Sequence, residues 1–248
     1  MAFARRLAIP ILLAAVVSAA CSSAQPGSSS AAPVSASTAG GSVSASPPTE
    51  ADLGLPSNAT FVHTRQADID GDGVPDLVAL YANGPLYQSS TRWTLRVMLA
   101  TGAIIDKTLD PRGGALCINL PRCEFQSLYN ADGVPGDEIF LLLDHISTYN
   151  TVSVFKLSDG QIISSGSFWA DGGDVDYKFG YSCTQSGGQP VIVQHSFTQP
   201  NWPTGRWLQR DQVYSWQGAS LVKSGSPSAT TLAAGVSPPS NLVGGHCP

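Results

Sequence analysis

Charge is scarce in this chain, and what there is leans acidic. Lys and Arg together number 13 among 248 residues and Asp and Glu 18, a net charge of −5. No basic stripe is available to neutralise phosphates, which argues against a nucleic-acid partner. Beyond the first twenty residues no apolar run is long enough to cross a bilayer. Catalytic signatures are missing too: there is no G-x-S-x-G and no H-E-x-x-H. The four histidines, His63, His145, His195 and His246, are scattered. Asp144-His145 and His195-Ser196 set useful types side by side, but neighbours on a strand point to opposite faces. Each histidine is therefore read as structural. Asp137-Glu138 offers an acid pair, more economically read as a loop residue and its edge. A triad assembled in space leaves no local trace, so an enzyme stays a competing class.

The start of the chain is its most conventional part. Arg5 and Arg6 precede an apolar stretch from Leu7 to Val17, and Ser18-Ala19-Ala20 supplies small residues for cleavage. Cys21 follows at once. This resembles a bacterial lipoprotein signal over residues 1–20, with Cys21 as the lipidated (palmitate-bearing) new N-terminus. The resemblance departs at Ser18, where such signals usually carry Leu, Val or Ile, and an ordinary secretory cut after Ala20 is the alternative. It implies export and an anchor on the outer face of the cell membrane. Removing Arg5 and Arg6 leaves eleven basic against 18 acidic residues, a net charge of −7. Residues 22–50 are mostly Ser, Ala, Pro, Gly and Thr, too poor in apolar bulk to fold. Residues 21–50 read as a lipidated tether with a reach on the order of 30 Å. Residues 51–248 read as one all-β domain.

Four cysteines remain in that domain, an even number that implies two disulfides in an exported chain. Cys117 and Cys123 flank a five-residue loop and are expected to pair. Cys183 would then pair with Cys247 and tie down the C-terminal tail. Three connectivities are open in principle. Zinc is the rival reading, but C-x₅-C is an unusual spacing for it and no histidine pair stands nearby.

The densest signal is Asp68-Ile69-Asp70-Gly71-Asp72-Gly73-Val74-Pro75-Asp76, followed by the apolar run Leu77 to Tyr81. Four carboxylates at alternate positions repel one another, each close pair by about 1 kcal/mol in water. A hard cation turns that cost into a gain. Ca²⁺ takes 6–8 oxygens, and loops of this spacing offer Asp68, Asp70, Asp72, the Val74 carbonyl and Asp76. This is no EF-hand, because Ala79 stands where the bidentate Glu belongs and a strand, not a helix, follows. Without an ion the loop would be an Asp/Gly turn held by side-chain to backbone hydrogen bonds.

A D-x-D-x-D-G-x-x-D loop running into a strand resembles the FG-GAP and VCBS repeats of integrin-like β-propeller proteins. The resemblance implies Ca²⁺ as the bound ion and blade-like units. Repetition in the residues agrees. Gly102, Gly160 and Gly218 are 58 residues apart twice over, each following an apolar segment. Val97, Phe155 and Val213 stand five before, and Ile105, Ile163 and Leu221 three after, as matching inward positions. Asp72-Gly73-Val74-Pro75 recurs as Asp132-Gly133-Val134-Pro135 and weakly as Gly187-Gly188-Gln189-Pro190. Three degenerate units of about 58–60 residues result, each an Asp/Gly loop and three strands. Ala51 to Arg65 and the tail are candidates for a fourth. The expected fold is all-β and propeller-like, with a β-sandwich as the alternative.

Aligned on that motif, the second loop offers Leu128, Asn130, Asp132 and Asp137. Asn130, Asp132 and Asp137 form at most a weak second site, and the third loop has no acids. Asp171, Asp174 and Asp176 lie outside the repeat and read as an exposed loop. The loop after each buried strand carries an aromatic, Tyr87, Tyr149 or Trp202. These suit recognition of an envelope polysaccharide or protein, or else serve as plugs over their own blades. Trp93, Trp207 and Trp216 sit in strand-like segments and read as core. The preferred function is a lipid-anchored, calcium-stabilised, non-catalytic binding or structural module of the cell envelope. A secreted hydrolase on the same scaffold is the competing class.

Overall fold

An apolar run that alternates with polar residues builds a strand with one buried face, and an unbroken run builds one buried on both. Both kinds occur in this chain, and they sort it into three sheets. The structure is a computed structural model, and it describes residues 46–85, 91–109, 123–146, 149–170, 176–199, 205–244 and 247, with backbone only at 144–146 and 149. These belong to one unit, Val43–Pro248. The signal segment, Cys21, most of the tether, Cys117, Tyr87, Trp202, Asp171 and Asp174 lie outside the described residues, as does the Tyr149 side chain.

The first sheet contains β1 (Ala59–Ala67), β2 (Asp76–Asn83), β3 (Arg92–Met98) and β4 (Ile104–Leu109). The second contains β5 (Glu124–Tyr129), β6 (Glu138–Ile146), β7 (Tyr149–Ser158) and β8 (Gln161–Ala170). The third contains β9 (Tyr177–Ser186), β10 (Gln189–Thr198), β11 (Leu208–Gln217) and β12 (Ser220–Thr231). Each is an antiparallel meander in chain order, and none closes into a barrel. The fold is all-β. Each sheet has four strands, because a strand precedes the Asp/Gly loop as well as following it. The segment Ala51 to Arg65 is accordingly no fourth unit: it leads into β1, which pairs with β2.

The continuous run of β6 explains how the sheets pack. Ile139, Leu141 and Leu143 join Val78, Leu80 and Val97 of the first sheet in one apolar cluster. Phe140 and Leu142, on the opposite face, join Tyr181, Ile192 and Tyr214 of the third. The second sheet is therefore covered on both sides. The rings of Phe140 and Tyr181 stack at 5.9 Å, and Phe168 meets Tyr181 edge-on at 5.1 Å. Trp93 and Trp207 are buried, and Trp216 packs on the second cluster.

The two end sheets are covered by the chain's own terminal segments. Leu53, in a short 3₁₀ turn (Glu50–Leu53), packs on Leu77 and Ala79 of β2. Arg96 holds it there. Its Nη1 donates to the carbonyls of Leu53 (2.7 Å) and Gly54 (2.9 Å), while Nε and Nη2 donate to Asp106 on β4. At the other end the Leu232 amide donates to the Trp207 carbonyl and the Gly244 amide to Phe179 on β9. The Cys183–Cys247 disulfide fastens this tail, as the cysteine spacing led one to expect. Cys123 is fully buried just before β5.

Gly102, Gly160 and Gly218 each fall in the turn between the third and fourth strands of a sheet. The inward positions around them match less well. Val97 and Phe155 are buried, but Val213 is half-buried and Tyr214 takes the core place. Bulges at Val154/Phe155 and Asp211/Val213 shift the register, and a shift of one residue turns a side chain to the other face.

The three hairpin loops that join first to second strands stack at one end of the molecule. The Asp137 amide in the second loop donates to the Asp68 carbonyl in the first, at 2.7 Å. A Cβ on Gly71 would stand 2.6 Å from the carbonyl carbon of Pro135, and one on Gly133 would stand 2.9 Å from Pro190 Cγ. Gly71 and Gly73 both have positive φ, 79° and 84°, but a Cβ on Gly73 meets nothing within 4 Å. Gly73→Ala should thus show the backbone cost alone, about 1–2 kcal/mol. Gly71→Ala should lose about 1–3 kcal/mol more, because it also drives the loops apart. Denaturant unfolding of the two variants measures the difference, and equal losses would show that the loops do not bear on each other.

Candidate functional site

The first hairpin loop is tied together by its own carboxylates. Asp68 accepts from the amides of Gly71 (Oδ1, 2.8 Å) and Gly73 (Oδ2, 2.9 Å). Asp70 accepts from the Asp72 amide and Asp72 from the Val74 amide. Asp76 is fully buried at the start of β2. Its Oδ2 accepts from Ile69 (2.8 Å) and Asp70 (3.4 Å), and its Oδ1 from Ala100 (2.8 Å). Burial pushes this carboxyl above its ordinary value, the three amides pull it back, and the Asp70 charge pushes it up again.

Asp68, Asp70 and Asp76 each bring an oxygen within 4.8 Å of the others. Oxygens around one Ca²⁺ stand at 2.3–2.6 Å from it, so two on opposite sides are about 5 Å apart. A carboxylate oxygen that takes one amide keeps a second lone pair. The donor set is hard, anionic and convergent, a group able to hold a metal ion. Asp72 stays outside this group of three, and Val74 is tied to it by its amide. Among the described residues no Lys or Arg pairs with any of the four acids.

The second loop repeats the architecture, but in a register offset from the repeated Asp-Gly-Val-Pro. Asn130 Oδ1 accepts from Gly133 (2.8 Å), as Asp68 does from Gly71. Asp132 accepts from Val134 as Asp70 does from Asp72. Glu138 Oε2 accepts from Ala131 (2.6 Å) and Asp132 (3.2 Å), as Asp76 does from Ile69 and Asp70. The true counterparts are therefore Asn130, Asp132, Val134 and Glu138. Leu128 and Asp137 drop out of the set. Asp137 lies where the two loops meet, its carboxyl raised by burial and by the Asp68 charge and lowered by the backbone amides of Asp68 and Asn130.

The second loop also contains its own cation. The Lys156 ammonium, on β7, pairs with Asp132 and stands 3.5 Å from Glu138 Oε1. The Trp216 ring lies 5.8 Å from that ammonium, and its Nε1 donates to the Ala131 carbonyl at 2.8 Å. On the first sheet the contact that reaches Asp76 from beyond β3 is the Ala100 amide, and among the described residues no ammonium or guanidinium pairs with it. Burial nevertheless raises the Glu138 carboxyl to about 7, the Asp132 charge adding to it and the Ala131 amide and Lys156 opposing it. The ammonium is committed first to Asp132, so its help to Glu138 is partial.

A second polar row lies on the third sheet, on the face opposite Tyr181. Ser182 Oγ and His195 Nε2 are 2.9 Å apart, and His195 Nδ1 and Asp211 Oδ1 are 2.8 Å apart. Gln209 Nε2 donates to both oxygens of Asp211. His195 is buried and partnered at both nitrogens. Its serine is Ser182 and not the adjacent Ser196, which donates instead to the Arg210 carbonyl.

No protein-family model, no curated protein and no solved structure matches this chain. Function is therefore argued from the residues themselves. Of the other expected residues, His63 packs edge-on against Phe61 at 4.6 Å, and the Asp176 carbonyl accepts from the Gln199 amide. Sequence reasoning placed Glu138 only at the loop's edge, without its role as acceptor, and missed Lys156, Ser182 and Asp211. The only available signal was register: Glu138 precedes its apolar run directly, as Asp76 does.

Glu138 makes a pH dependence. Its folded value, about 7, lies above the ordinary 4.5. Its contribution is thus fully present below about 4.5 and is lost as pH rises through about 7. Relative to Glu138→Gln, which keeps the hydrogen-bonding shape without the charge, wild type should lose melting temperature between pH 5 and 8. A series of melts across that range in chelating buffer checks this, and parallel curves would contradict it.

Proposed function

We propose that the chain is an exported, lipid-anchored module of the cell envelope, built of propeller-like blades and stabilised by Ca²⁺ in its first hairpin loop. The metal half of the reading is carried by the contrast between two loops of one design. In the second, a half-buried ammonium pairs with Asp132 and Glu138. In the first, three carboxylates converge and among the described residues no Lys or Arg pairs with them. The same architecture with more negative charge and no such cation among the described residues calls for an external one. Ca²⁺ is the ion such oxygen donors select in an extracellular setting. Asp68, Asp70 and Asp76 would hold it, with Asp72 and the Val74 carbonyl as further donors. It would neutralise the loop and so fasten the first two sheets where their hairpins meet.

The anchor rests on Cys21 following a signal-like segment, and the tether would let the domain stand off the membrane. An envelope polysaccharide or protein is the partner such a domain would meet, with Tyr87, Tyr149 and Trp202 as the candidate surface.

Sites of this extracellular kind bind Ca²⁺ with dissociation constants of order 10⁻⁴–10⁻³ M. At about 10 mM Ca²⁺ the stabilisation should be about 1.5–3 kcal/mol, a rise of several degrees in Tm. The Asp70→Ala, Asp72→Ala double variant should show no such rise. No Ca²⁺-dependent shift in wild type, or the same shift in the double variant, defeats the metal reading. Separately, Cys21→Ser should move the protein from the membrane fraction to the soluble one. Equal release of both forms would mean plain secretion.

A further inference from the structure

The row Ser182–His195–Asp211 has the order of a nucleophilic site. The three residues come from neighbouring strands. His195 lies opposite Gly180 on β9 and opposite Asp211 on β11, and Ser182 is two residues on from Gly180, on the same face. Asp211 Oδ1, 2.8 Å from Nδ1, fixes the proton on that nitrogen. Nε2 is left as an acceptor, and Ser182 Oγ donates to it at 2.9 Å. Gln209 in turn steadies the carboxylate by donating to both of its oxygens. The imidazole is buried at the middle of the row, while Ser182 and Asp211 on either side of it are half-buried, so the hydroxyl stays reachable.

The surroundings bear on what could bind. β9 is an edge strand, and its Phe179 carbonyl is turned outward to the Gly244 amide. Alternation turns the Cys183 amide the same way, so the N–H just after the serine is not spent in the β9–β10 ladder. Val193 lies directly opposite Ser182, and Val213 opposite Val193, an apolar strip beside the hydroxyl. The tail crosses Gly180 so closely that a Cβ there would stand 1.8 Å from the Leu242 carbonyl oxygen. That strap, tied by Cys247 to the residue next to Ser182, borders the row two residues from the hydroxyl, which favours a short acyl group over a long chain.

We propose that Ser182, His195 and Asp211 form an acyl-transfer site that hydrolyses short-chain carboxylic esters. Ser182 Oγ attacks the ester carbonyl carbon and gives its proton to His195 Nε2. The alkoxide leaves with that proton, and the acyl group stays on Ser182. Water then gives a proton to Nε2 and attacks the acyl-serine, and Ser182 regains the proton as the carboxylic acid departs. Ester and water become acid and alcohol. Asp211 is a positioning residue: it holds the tautomer and never meets substrate. The site lies in the third sheet and does not depend on the metal reading.

The test uses the full exported chain with its disulfide intact. A fluorophosphonate probe is added and the adduct mapped by peptide mass spectrometry. The expected result is one adduct at Ser182 in folded protein, abolished by heat denaturation. Hydrolysis of p-nitrophenyl butyrate should fall at least about a hundredfold in Ser182→Ala, because the attacking oxygen is removed. Asp211→Asn should cut labelling at least tenfold, while Ser196→Ala should label like wild type. Absence of a Ser182 adduct in natively folded protein overturns the proposal without need of any variant. So does undiminished ester hydrolysis by Ser182→Ala.

Discussion

A buried carboxylate at the head of the second strand is the constraint on which the first two sheets turn. A long hairpin loop folded against a core leaves amides that water cannot reach, and each must find an acceptor. Asp76 supplies it for Ile69, Asp70 and Ala100, and Glu138 for Ala131 and Asp132. The solution brings its own difficulty, because a charge has been carried into a poorly solvated place. The second sheet answers with Lys156 under the Trp216 ring. The first adds further acids instead and has no internal cation among the described residues. The third avoids the matter: Gly187-Gly188 closes β9 to β10 in two residues, with no loop to staple. Three loops at equivalent places thus show three ways of handling one electrostatic cost.

Much of this was legible from the residues, and the limits were physical. The strands after each Asp/Gly loop were readable because an apolar run buried on both faces has no competing explanation there. The strand before each loop was not, since β1 reads Ala-Thr-Phe-Val-His-Thr-Arg-Gln-Ala, half-exposed and broken by a bulge between Thr60 and His63. The acidic loop announced itself by spacing. Its counterpart was misaligned by two residues, because the eye follows Asp-Gly-Val-Pro while the backbone follows Asn130-x-Asp132-Gly133 and the carboxylate at the strand's head. Lys156 could not be found by any local pattern. It is 24 residues from Asp132, and only the pairing of β6 with β7 brings it back.

A stack of open sheets has two outer faces to protect, and this chain protects them with its ends. The N-terminal segment lies on β2 because Arg96 takes two carbonyls that would otherwise end a chain on an apolar surface. The tail lies on β9 because its Gly244 amide finds an edge-strand carbonyl and Cys247 a disulfide. Such covers shield the outer faces of the two end sheets. They also blunt the β9 edge, where an unpaired strand would invite pairing with a second chain.

The same covering bears on the polar row of the third sheet. A Ser-His-Asp chain across three strands could exist only to satisfy a buried imidazole, and for that purpose any donor to Nε2 would do. The row has instead an aspartate held by Gln209, a fixed tautomer, and a hydroxyl that is only half-buried. A structural network does not need the second clamp on Asp211, whereas a nucleophilic row needs the imidazole proton fixed on Nδ1 and the hydroxyl within reach. The tail crosses β9 at Gly180, two residues from Ser182, so that the segment fastened by Cys247 also borders the polar row.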